Sequence, residues 1–238
     1  MSFLRAEWRK LALANYVVDK NQLTRYLPVG TEFDIWDNKC YISLVGFMFV
    51  NTRIMGMKVP FHVNFEEVNL RFYVKRVVDG KLKRGVVFIK EIVPKSAITI
   101  VANSLYNEHY QTLPMSHNWD TNEEYRSVEY SWRTSQKENS FKVHASLDAE
   151  KIEPESEVEF ITEHYWGYTR VKDTKTFEYE VTHPRWLHYP VRQYKISADF
   201  GKTYGPEFSW LDALQPVSVF LAEGSEITVE NKKEIKMG

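Results

Sequence analysis

The chain of 238 residues balances 31 lysines and arginines against 32 aspartates and glutamates, with no basic block or aromatic–basic repeat, which excludes a binder of the nucleic-acid backbone. Hydrophobic residues (43%) and aromatics (15%) are enough for a substantial core, and only 10 glycines accompany them, a composition that favours strands. A lone cysteine, Cys40, excludes an intrachain disulfide, and no apolar run approaches membrane-spanning length. The opening residues carry charges where a secretory signal needs an apolar stretch, so the expectation is a cytoplasmic protein with no membrane partner. No linker divides the sequence, and residues 1–238 read as one domain with about 25 N-terminal and about 8 C-terminal residues peripheral.

In chain order, the segment up to Tyr26 is helix-compatible in part and is stopped by Leu27-Pro28-Val29-Gly30. Residues 40–50 are apolar on both faces, as in a fully buried strand, and 51–60 form a loop. From Phe65 to Val74 the sequence alternates with period two: Val68, Leu70, Phe72 and Val74 share one face, and Glu67, Asn69, Arg71 and Tyr73 the other. Asp79-Gly80 marks a turn, and 85–93 a second apolar strand closed by Pro94. Ser96 can cap a helix whose stripe of Ile98, Val101, Ala102 and Leu105 runs to about His109. A hairpin follows over 128–147, then a short helix from Pro154 to about Ile161. Further strands are expected at 165–171, 177–181, 189–196 and 217–229, the last interrupted by Gly224. The sum is a mainly β chain, mostly antiparallel, with a few helices.

The face bearing an acid, an amide, a guanidinium and a phenol in a row is suited to orienting a small polar ligand if the sheet curves around it. A solvated face with a Glu67–Arg71 ion pair is the competing reading. Glycine-rich phosphate loops, paired cysteines and a nucleophile-elbow motif are absent, and the histidines lack zinc-site spacing, so neither cofactor nor metal is expected.

The run Phe65-x-Glu67-x-Asn69-x-Arg71-x-Tyr73-Val74 resembles the signature of the YqjF-like family of uncharacterised proteins, grouped with the acetoacetate decarboxylase-like superfamily. Three further segments agree in order: Arg84 through Pro94; Ala102-Asn103-x-x-Tyr106-Asn107-Glu108-x-Tyr110 with Leu113-Pro114-Met115-x-His117; and Phe160-x-Thr162-Glu163-His164-Tyr165 with His183-Pro184-x-Trp186. The resemblance implies an antiparallel, cone-shaped β-barrel with flanking helices and an interior pocket.

The decarboxylases of that superfamily use a Schiff-base lysine. The matching region here, Asn103 to His117, has none, whether the alignment falls on Tyr110-Gln111 or on Met115-Ser116. The glutamate those enzymes carry in the strand matching 41–50 is missing too, which leaves Glu67 as the superfamily acid to carry over. The resemblance thus points to Glu67, Tyr110 and Glu108 as catalytic candidates, and to Asn69, Arg71, Glu91, Glu163 and Tyr165 as ligand contacts. Their competing roles are ion pairing, strand cross-linking and helix capping, with Glu163 holding Arg170. Lys90, flanked by Phe88 and Ile92 on an alternating strand, is the one substitute amine, although strand lysines usually snorkel outward.

The function expected is that of a small-molecule pocket protein acting on an organic acid or carbonyl metabolite by lyase- or hydrolase-type acid–base chemistry without a Schiff base. A non-catalytic binding or sensing protein on the same barrel is the alternative. Self-association as a homo-oligomer stays open.

Overall fold

The structure, a computed structural model, describes residues 2–236. It departs from expectation at once: Leu4–Val18 is not helical but a long strand, β1. Nor is it peripheral, because β1 lies between two other strands with Leu11, Ala12, Leu13 and Ala14 completely buried. A strand covered on both faces shows no polar–apolar alternation, so its apolar run is easily taken for part of a helix.

The remaining strands are β2 (Glu32–Phe33), β3 (Cys40–Ile54), β4 (Phe65–Val78), β5 (Lys81–Val93), β6 (Tyr110–Thr112), β7 (Met115–Thr121), β8 (Arg126–Arg133) and β9 (Glu138–Ala145). After them come β10 (Glu150–Lys151), β11 (Trp166–Lys172), β12 (Lys175–Thr182), β13 (Leu187–Ser197), β14 (Ser218–Val229) and β15 (Lys233–Lys236). Three helices are interspersed: α1 (Ser96–Tyr106), α2 (Glu157–Thr162) and α3 (Phe200–Tyr204). A 3₁₀ segment, Pro206–Ala213, follows α3.

Seven of the described strands close a ring in the order β14-β1-β3-β4-β5-β11-β12. Two residue pairs, Val181 with Val229 and Thr182 with Thr228, join β12 back to β14. Neighbours in the ring are antiparallel except β5 and β11, which run parallel. From β14 the sheet continues through β13, β9, β8 and β7, while β15 extends the other half of β12. All seven β7 residues are at least partly exposed. Met115 alone of these residues packs against the outer core while Trp119 stays exposed, so the strand carries too little apolar contrast to be read from the sequence.

Two apolar cores result. The inner one holds Tyr41, Val45, Phe47, Phe65 and Val86, and the outer one holds Ile42, Leu44, Val68, Leu70 and Phe72 against Tyr130, Trp132 and Phe141 of the side sheet. Strand β3 feeds both, which accounts for its unbroken apolar run. Gly46 allows the sheets to approach, since a Cβ there would lie 2.7 Å from the Tyr130 ring. Asp79 (φ 50°) and Gly80 (φ 73°) form the tight turn between β4 and β5.

Helix α1 ends three residues earlier than expected, at a left-handed Asn107 (φ 57°) that acts as its C-cap. Ile98, Val101, Ala102 and Tyr106 face inward, whereas Leu105 is 46% exposed, because the helical period carries the inward stripe on to Tyr106. Helix α2 starts at Glu157 rather than Pro154, with the Ser156 hydroxyl accepting from the Glu159 N–H at 3.2 Å.

Candidate functional site

Strand β4 keeps its alternation through the ring. Val68, Leu70, Phe72 and Val74 enter the outer core, and Glu67, Asn69 and Arg71 line a cavity of about 120 Å³ inside the ring. The fourth residue of that face, Tyr73, is buried beside the cavity in a hydrogen bond with Ser43 (2.7 Å). A void of about 150 Å³ admits benzene, so this one suits a molecule of about six heavy atoms.

Strand β5, the neighbour of β4 in the ring, supplies the adjoining wall of the site through a break in its pattern. Its pairing with β4 shifts between Leu70 and Arg71, so that Leu70 faces Lys90 but Arg71 faces Phe88. The extra residue re-phases the strand. Phe88 and Glu91 both line the cavity, while Lys90 turns to the outer side, where its Nζ donates to the Thr203 carbonyl at 2.7 Å. Strict alternation would have put Lys90 inside and Glu91 outside. The substitute-amine reading of Lys90 is therefore corrected, and among the described residues no lysine lines the cavity.

Beyond the left-handed Asn107 the chain turns inward and delivers Glu108 and Tyr110 to the same space. The Asn103 side chain holds Tyr110 at both backbone groups, accepting from its N–H (2.8 Å) and donating to its carbonyl (3.0 Å). Parallel pairing of β6 with β5 sets Tyr110 beside Glu91. The Tyr110 hydroxyl donates to Glu67 Oε2 (3.1 Å) and Asn69 Nδ2 to Glu67 Oε1 (2.9 Å). Glu108 Oε1 accepts from Thr169 (2.6 Å) and Tyr179 (2.8 Å). Gly167 makes room for that tyrosine, because a Cβ there would lie 2.2 Å from its ring.

Glu67, Glu91 and Glu108 are all buried, and burial raises all three carboxyls. Glu67 rises from 4.5 to about 7 against the opposing pull of its two hydrogen bonds, and Glu108 likewise reaches about 7. Glu91 goes well above its ordinary range, pushed first by burial and then by the charges of Glu108 and Glu67. Arg71, 7% exposed, is the one guanidinium on the cavity wall. Among the described residues it has no hydrogen-bond or ion-pair partner, and its Nε is fully enclosed. The Glu67–Arg71 ion pair that would have made both residues structural does not form. Glu91 Oε2 and Asn69 Oδ1 are likewise enclosed without a donor.

One further residue on the wall is His164. Its Nε2 lies 3.1 Å from Asp34 Oδ2, which also accepts from Arg84 Nε at 2.7 Å. Burial lowers the imidazole to about 4, so it is neutral at pH 7, and its Nδ1 is buried without a partner. The sequence shows His164 only as part of a motif. Asp34, which holds it, lies 130 residues away on the loop after β2 and gives no local signal.

Glu163 and Tyr165 do not join this site. They flank His164 at the end of α2, where the Tyr165 hydroxyl donates to Glu163 and Arg185 Nε lies 3.9 Å from that carboxylate. Arg170, the partner expected for Glu163, pairs with Asp173 instead (2.6 Å). Among the described residues no cluster of three histidine, cysteine or acidic side chains is arranged to hold a metal ion, and no helix is long and apolar enough to cross a membrane.

Over residues 5–226 the sequence matches the family designated DUF2071 and described as uncharacterized conserved protein (COG2071). The chain belongs to this family. It is also 27% identical over 193 residues to the uncharacterized protein YqjF of Bacillus subtilis (strain 168), covering 77% of this chain and 74% of that one. Among solved structures, this DUF2071 protein resembles the acetoacetate decarboxylase of Legionella pneumophila (TM-score 0.66, 12% identity, 98% of this chain and 86% of the other). It also resembles an acetoacetate decarboxylase-like enzyme of Sphingomonas wittichii RW1 (TM-score 0.66, 10% identity, 100% and 95%). A third likeness is to the enduracididine biosynthesis enzyme MppR complexed with pyruvate (TM-score 0.68, 11% identity, 98% and 91%). At these identities the likeness shows the fold alone: the DUF2071 chain has the acetoacetate decarboxylase-like fold, with the seven-strand ring where a cone-shaped barrel was expected.

Proposed function

We propose that the ring cavity takes a compact organic acid or carbonyl metabolite and acts on it by acid–base chemistry that needs no Schiff-base lysine. The observation that carries this reading is Arg71, a buried guanidinium that among the described residues lies 5.7 Å from the centre of the Tyr73 ring but has no hydrogen-bond or ion-pair partner. A charge desolvated without compensation is costly, and a carboxylate or carbonyl oxygen from a ligand supplies the missing acceptor. Glu67, poised near 7 between Asn69 and Tyr110, is matched to moving a proton to or from the atom bound beside it. Glu108 and Tyr110 assist that transfer, and His164, neutral with its Nδ1 unpartnered, offers a hydrogen-bond acceptor on the same wall. The apolar remainder of the wall, including Phe47, Phe65 and Trp166, excludes water and strengthens each of these interactions. Pyruvate, the ligand in one structure of similar fold, has the size this reading calls for and a carboxylate to meet Arg71.

Non-catalytic binding is the second reading, favoured by the absence of a lysine from the cavity wall among the described residues. A thermal-shift screen of keto acids, hydroxy acids, lactones and aldehydes against the wild type and Arg71→Met tests the ligand site. A ligand at a hundred times its dissociation constant adds about 2.7 kcal/mol, a rise of roughly 5–10 °C at this chain length. The rise is expected in the wild type and not in Arg71→Met. An equal rise in both proteins would contradict the reading, and turnover of the hit separates enzyme from binder.

A further inference from the structure

The unsatisfied atoms on the cavity wall have both polarities. Arg71 Nε and Trp8 Nε1 lack acceptors, whereas Asn69 Oδ1, Glu91 Oε2 and His164 Nδ1 lack donors, and all five are sealed from solvent. Both hydrogen bonds to Glu108 fall on Oε1, leaving Oε2 without one. The orientation of the Asn69 amide is fixed by its Nδ2, which donates to Glu67 at 2.9 Å, so its Oδ1 needs an N–H or O–H from elsewhere. A keto acid satisfies Arg71 but brings acceptors alone. It leaves Asn69 Oδ1 bare and adds a negative charge to a wall that already carries three carboxyls and, among the described residues, one guanidinium.

A ligand with an anionic group at one end and several N–H donors at the other meets Arg71 Nε, Asn69 Oδ1 and Glu91 Oε2 together and adds no net charge. We propose that this site selects a small zwitterion of amino-acid type, its carboxylate on Arg71 and its ammonium among Asn69, Glu91 and Glu108. The volume, suited to about six heavy atoms, matches an alanine-sized molecule. This inference rests on the reading of the ring cavity as a ligand site and names the class of ligand.

Alanine, lactate and pyruvate each have six heavy atoms and share a carboxylate, so comparing them isolates the contribution of the ammonium. Isothermal titration of each into the wild type and Glu91→Gln, at pH 7 in two buffers of different ionisation enthalpy, reads both affinity and proton exchange. L-Alanine is expected to bind at least about tenfold more tightly than pyruvate and to release protons, because an ammonium drives them off neighbouring carboxyls. In Glu91→Gln that preference should shrink about tenfold. Pyruvate or lactate binding as tightly as alanine, or proton uptake on alanine binding by the wild type, would overturn the zwitterion while leaving the ligand site standing. No heat from any of the three at millimolar concentration would overturn both. Proton release is read on the wild type, so the test does not depend on how the variant folds.

Discussion

Glu67 and Arg71 sit four residues apart on one face of β4 and still form no ion pair; Glu67 accepts from Asn69 and Tyr110, while Arg71 Nε keeps a donor that the fold does not consume. The cost falls mainly on the carboxyls. One carried from 4.5 to about 7 destabilises the folded state by about 3 kcal/mol once both states are ionised. The sign follows from which state loses its proton first. Between pH 4.5 and 7 the unfolded chain has already ionised while the folded chain holds its proton, so this group lowers stability as pH rises through that window. Buried His164 and half-buried His183, both lowered to about 4, act in the opposite sense, and the stability they add is lost as pH falls from 6.5 toward 4. Comparing Glu67→Gln with the wild type cancels the histidines. By urea denaturation the variant should match the wild type near pH 4.5 and exceed it by about 3 kcal/mol at pH 8. A constant difference across that range would contradict the raised carboxyl.

At the scale of elements, the site depends on local departures from regular pattern: the shifted register of β5, the left-handed Asn107 and the missing side chain at Gly167. The last is directly testable. In Gly167→Ala the new Cβ meets the Tyr179 ring at 2.2 Å and must push its hydroxyl off Glu108. A loss of roughly 2–3 kcal/mol is expected together with weakened ligand binding. An alanine variant with wild-type stability and binding would mean that Tyr179 has another place to go.

The same departures set the limit of what the sequence discloses. The alternation of β4 identified Glu67, Asn69 and Arg71, because period two survives intact in a strand with one face in each core. The segment carrying Glu108 and Tyr110 was legible through the resemblance. For β5, alternation alone gave the wrong face to Lys90, since one extra residue leaves no mark in composition. Strand β1, buried on both faces at Leu11 to Ala14, offers no contrast between its faces that would distinguish it from a helix. Glu163 and Tyr165 were placed one residue off on either side of the group that does face the cavity, His164.

Across the whole molecule, the ring encloses polar groups in a position where apolar packing would be more stable. Isosteric removal of buried charges commonly stabilises a fold, whereas breaking a true buried ion pair is strongly destabilising. This contrast separates a site kept for a ligand from a structural ion cluster, and it needs no knowledge of the ligand. The direct measurement is equilibrium urea denaturation of Arg71→Met at pH 7.5 beside the wild type. If Arg71 is held for a ligand, the variant will be as stable as the wild type or more stable by about 1 kcal/mol. A loss of about 3 kcal/mol or more would show that the guanidinium holds the ring together, and the claim of a ligand site built around it would fall.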